Sequence, residues 1–92
     1  MSSEPIFIRW EYTTYPHHKF YEVEVELSLF YPKVLTRRWG RIGTRRPRSI
    51  QMLIGDREEL QRQVSLIRQR RIQHGYHLAQ QLQVPAIKAP AA

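Results

Sequence analysis

Arginine is concentrated in one short stretch of this chain. Arg37-Arg38-Trp39-Gly40-Arg41-Ile42-Gly43-Thr44-Arg45-Arg46-Pro47-Arg48 holds six arginines, no acid and one large aromatic at its centre. Guanidinium forks grip phosphates through paired hydrogen bonds, and an indole face stacks on rings or sugars. An anionic partner carrying flat rings therefore suits these residue types. They point to recognition of nucleic acid by Trp39, Gly40, Arg41, Arg37, Arg38, Arg45, Arg46 and Arg48, with Lys19 as a further cation.

Other constellations offer less. His17-His18 and the pair His74 and His77 are too few for a metal site and have no cysteine beside them. Glu22, Glu24 and Glu26 share a strand face through simple alternation, which is not the arrangement of a catalytic pair. Gly40 and Gly43 are not followed by the Gly-Lys-Ser/Thr of a phosphate loop. Ser2, Ser3, Ser28, Ser49 and Ser65 have no evident base. The chain reads as a non-enzyme, with no catalytic residue, no metal and no cofactor expected.

These residues need a scaffold, and 92 residues suffice for one domain with a thin core. Ile6 to Tyr12 reads as a short strand, and Phe20 to Phe30 as the clearest one. In the latter, Tyr21, Val23, Val25, Leu27 and Leu29 alternate with Glu22, Glu24, Glu26 and Ser28, the pattern of one buried and one wet face. Tyr31-Pro32 turns the chain, Lys33 to Ile42 returns as a hairpin partner, and Arg48 to Ile54 follows as a fourth strand. Asp56 as N-cap and Glu59 three residues on open a helix, whose stripe is Leu60, Val64, Ile67 and Arg71. Gly75 is placed to end it. The expected fold class is α+β: an antiparallel sheet of about four strands with one helix packed across one face. Residues 1–78 form the single domain, and 79–92, rich in Ala, Gln and Pro, are expected to be a flexible tail.

The totals bound the partners. A net charge of +7 favours polyanions, and it is segregated: residues 27–55 carry seven positive side chains and no acid. No run approaches the roughly 20 apolar residues of a membrane span. Without cysteine there is no disulfide or thiolate site, and a cytoplasmic location is the default.

Which face Trp39 occupies depends on the hairpin. A two-residue turn at Tyr31-Pro32 sets Glu26 opposite Arg37, Glu24 opposite Trp39 and Glu22 opposite Arg41. The wet face then carries a carboxylate row beside an Arg-Trp-Arg row, and Val34, Thr36 and Ile42 join the core. A register shifted by one turns every side chain over and buries Trp39 with Leu35, forcing Arg37 and Arg41 inward at a cost. The first register is preferred on that ground. It leaves Arg38, Arg45, Arg46 and Arg48 as the least compensated charges, Trp39 exposed for stacking, and a core Trp39 as the alternative.

The same residues resemble the WGR domain, named for its Trp-Gly-Arg motif and best known from poly(ADP-ribose) polymerases. The likeness runs from about Lys19 to Tyr76 and rests on three segments in order: Lys19-Phe20-Tyr21, Trp39-Gly40-Arg41-Ile42-Gly43-Thr44 and Gly75-Tyr76. It implies an antiparallel sheet with a packed helix, a nucleic-acid-binding role, and Trp39 and Arg41 at the contact with DNA ends and neighbouring domains. His18, Glu24 and Arg45-Arg46-Pro47-Arg48 depart from the usual pattern. Because the chain ends without a catalytic domain, polymerase activity is not implied. The leading expectation is a stand-alone module for DNA ends or nicks, DNA before RNA, with Trp39 conferring end selectivity and the loop supplying attraction. The alternative is a protein-interaction module that docks an acidic partner or a neighbouring domain through the same surface, and a small enzyme comes last.

Overall fold

A computed structural model describes residues 3–85, with side chains described for 5–83. Five strands and one helix follow in order: β1 (Ser3–Tyr12), β2 (Lys19–Val25), β3 (Lys33–Arg41), β4 (Arg48–Ile54), α1 (Arg57–Gln73) and β5 (His77–Pro85). All neighbours are antiparallel, in the spatial order β4-β3-β2-β1-β5. This is the expected α+β class with one more strand. The extra strand corrects the expected tail: residues 79–85 belong to β5, which pairs with the otherwise free edge of β1. Residues 86–92 of that tail lie outside the described residues. His77-Leu78-Ala79-Gln80-Gln81-Leu82 has no clean alternation, so nothing local announces the strand; the open ladder of β1 recruits it.

The helix forms where its caps predict. The Asp56 carboxylate accepts the Glu59 N–H at 2.8 Å, and Glu59 reaches back to accept the Gly55 N–H at 3.0 Å. Leu60, Val64 and Ile67 are buried on one stripe, against Ile8, Trp10, Tyr21, Val23, Val25, Leu35 and Ile54. At the other end Gly75 adopts φ +89°. Its N–H donates to the Ile72 carbonyl at 3.1 Å and the Tyr76 N–H to the Arg71 carbonyl at 2.9 Å. That paired closure satisfies the last-turn carbonyls and requires a residue free to adopt positive φ.

The hairpin register is the main correction. Tyr21 lies opposite Trp39, Val23 opposite Arg37, Val25 opposite Leu35 and Lys19 opposite Arg41. Trp39, Arg37 and Arg41 therefore share the helix side of the sheet, whereas Val34, Thr36 and Arg38 lie on the other. The turn is not confined to Tyr31-Pro32: β2 ends at Val25, and the connection runs through residues 26–32. Leu27 and Leu29, expected in the core, stand 74% and 64% exposed there. Leu35 and Ile54 explain the outcome, since both are fully sequestered, and turning β3 over would put Leu35 in water. Arg37 is half-buried with its Nε shielded from solvent, and Arg41 stays exposed because of the path of the helix. The helix starts beside the end of β4 and ends over β2 and β1 on the same face, with Arg68 against Trp10 and Gln81 and Arg71 against Tyr21. The corner around Arg48, Ile50 and Arg41 stays exposed.

Candidate nucleic-acid interface

Trp39 is the centre of that open corner. Its ring stacks on Tyr21 at 5.9 Å between centroids and 14° between planes, and Arg48 is its partner on β4. The indole is half-buried, backed by Tyr21 and the core. Around it a groove of about 410 Å³ is lined by His17, His18, Lys19, Trp39, Arg41 and Tyr76, among others. The Lys19 ammonium sits over Tyr12 and Tyr76, at 5.4 and 5.8 Å from their centroids. Tyr12 in turn meets His17 at 4.4 Å and Tyr76 edge-on at 5.7 Å. The groove thus has aromatic walls and a cationic lining.

The arginine-rich loop is built by short local bonds. Gly43, at φ +90°, makes the turn, where the Thr44 N–H donates to the Arg41 carbonyl at 3.0 Å. The Arg46 N–H donates to the Thr44 hydroxyl at 3.2 Å, and the Ile42 N–H is tied to the His18 carbonyl at 3.0 Å. Gly40 lies beneath this loop: a Cβ there would stand 3.2 Å from the Thr44 methyl. Arg41, Arg45, Arg46 and Arg48 are exposed, and none of them forms an ion pair among the described residues. Arg37 is half-buried; its Nε is sealed off without a hydrogen-bond partner.

Arg38 differs from the other candidates. It lies on the opposite face and reaches Glu22 and Glu24, each at 3.3 Å. Arg9 extends that network to Glu22 at 2.6 Å and Glu11 at 2.8 Å. Burial works against the Arg9 charge, but its hydrogen bonds with Glu11 and Glu22 outweigh that and raise its pKa above the ordinary arginine value. The carboxylates therefore neutralise Arg9 and Arg38 rather than Arg37 and Arg41. Arg38 is consequently corrected from an uncompensated charge to a paired one. Among the residues whose side chains are described, the remaining acids stand away from the groove: Asp56, Glu58 and Glu59 are at the helix start, and Glu26 begins the 26–32 connection.

The structure brings Lys19, Trp39, Gly40 and Arg41 together at the groove and sets Arg45, Arg46 and Arg48 beside it. It adds Tyr21, Tyr76 and Arg71, whose roles composition does not reveal. The available signal is spacing: Arg71 continues the stripe Leu60, Val64, Ile67, so it must face the sheet. Among the described residues no cluster of His, Asp and Glu could hold a metal ion, and no helix is long and apolar enough to cross a membrane. The family model of the WGR domain matches residues 7–83 of the chain. No curated protein and no solved structure matches it.

Proposed function

The chain belongs to the WGR domain family, and on that premise we propose that it is a non-catalytic module that binds the ends or nicks of DNA. The observation carrying this reading is Trp39, stacked on Tyr21 within a cationic surface that has no carboxylate paired to it among the described residues. Tyr21 occupies one side of the indole. A ligand ring that adds to Trp39 therefore meets protein beyond it, and becomes the last member of its own stack. A base or sugar at a strand end satisfies that condition; the interior of an unbroken duplex does not. Arg41, Arg45, Arg46 and Arg48 supply the attraction to the flanking phosphates, and Lys19 adds a charge at the groove mouth.

A salt-series titration against blunt, nicked and covalently closed circular DNA, with a matched RNA, tests this. Affinity is expected to fall by about 0.9 log units per log unit of salt for each phosphate neutralised on duplex DNA. Blunt and nicked DNA should bind more tightly than closed circles at every salt concentration. Equal affinity for all forms removes end recognition, and no binding at low salt removes the nucleic-acid reading. Retention of a defined acidic protein by a chain that holds no DNA would favour a protein-docking role instead.

A further inference from the structure

We infer that Arg71 is a positioning residue for Trp39, acting through Tyr21; only its effect on DNA rests on the reading above. The Arg71 guanidinium carbon lies 4.1 Å from the Tyr21 ring centroid and 5.1 Å from that of Tyr76. Both fall within the ~6 Å over which a cation is attracted to a ring quadrupole. Tyr21 then carries the Trp39 indole, nearly parallel at 14°. Arg71, Tyr21 and Trp39 thus form a connected series from the last turn of α1, across β2, to the centre of the groove.

Packing alone does not account for an arginine here. Leu60, Val64 and Ile67 precede it on the buried stripe, and a leucine or methionine would complete that stripe without bringing in a charge. Instead the Arg71 Nε is sealed from solvent with no hydrogen-bond partner, an arrangement that costs free energy unless other contacts offset it. The contacts present are the two tyrosine rings. The helix closure also holds them in place, because the Tyr76 N–H bonds to the carbonyl of Arg71 itself. Arg71 and Tyr76 are thereby locked to one another by backbone, and Tyr21 is held against them. Trp39 inherits a fixed backing surface. Its charge directed onto rings, Arg71 serves the site by orientation, while Arg41, Arg45, Arg46 and Arg48 serve it by contact with phosphate.

Arg71→Lys and Arg71→Met separate these roles. Lysine keeps the charge but loses the planar guanidinium whose carbon sits over the rings, and methionine keeps the packing volume without charge. Trp10 is 1% exposed, so acrylamide quenching of the free protein reports selectively on Trp39. Quenching is expected to increase in both variants, more in Arg71→Met, with thermal unfolding recorded alongside to confirm folding. If methionine prevents folding, the lysine variant still decides the matter. On DNA, the salt slope should stay at the wild-type value, while the preference for nicked over closed circular DNA falls about fivefold or more, as for partial loss of a base–aromatic stack. Unchanged quenching in both variants overturns the inference. So does a slope reduced by about 0.9 with quenching unchanged, which would make Arg71 a phosphate contact. Should the wild-type protein bind no DNA at all, the proposed function fails, while the quenching result still settles the role of Arg71.

Discussion

Trp39 is backed by Tyr21 and the core on one side and accessible on the other, so on the proposed function its replacement should act on binding more than on folding. Trp39→Ala should weaken binding to nicked DNA by about 5- to 150-fold, corresponding to a stack worth about 1–3 kcal/mol, and fluorescence anisotropy would read the change. Unaltered affinity would show that the indole touches no ligand. The arginines divide by face. Replacing Arg45, Arg46 and Arg48 together with glutamine should lower the salt slope by up to about 2.7, at about 0.9 for each arginine that touches a phosphate. Arg38→Gln should leave the slope where it is, because Arg38 is engaged with Glu22 and Glu24 on the far side of the sheet. Composition counts these arginines alike; the strand register separates them.

The helix and its ends depend on local chemistry, and they were the most legible elements. Asp56, Glu59 and Gly75 act within four or five residues of their own positions, so sequence spacing suffices to find them. Gly75→Ala should destabilise the fold by about 1–2 kcal/mol, the cost of a side chain in a left-handed conformation. Its new methyl group would also stand 3.2 Å from the Tyr12 ring. Urea unfolding midpoints would measure the loss, and an unchanged midpoint would show that the closure contributes nothing. Strands are another matter. β2 and β3 were recognisable as strands, but their mutual register was not, since a seven-residue connection from 26 to 32 and a two-residue turn give opposite faces to the same alternation. β5 was not legible at all, because its residues gain strand structure only from the edge of β1.

Across the whole molecule the core is smaller than alternation suggests, and the exposed apolar residues test that directly. Leu27→Ala and Leu29→Ala should each change stability by less than about 0.5 kcal/mol, as for surface positions. Leu35→Ala should cost about 2–5 kcal/mol, as for a buried leucine. Calorimetry on the three variants would decide, and comparable losses at all three would return the 26–32 segment to the core. The charge distribution follows from the same architecture: an ion-paired face holding Arg9, Glu11, Glu22, Glu24 and Arg38, and a basic corner around Trp39. Sequence alone determined the α+β class, the helix with its caps, the family motif and the residues of the basic segment, because each depends on residue type or on short spacing. Tertiary structure decided which face Trp39 occupies, which arginines are paired, and that Arg71 backs the aromatic series. Those outcomes depend on the burial of Leu35 and Ile54 and on the oblique path of the helix, and both are set by contacts between residues far apart in the chain.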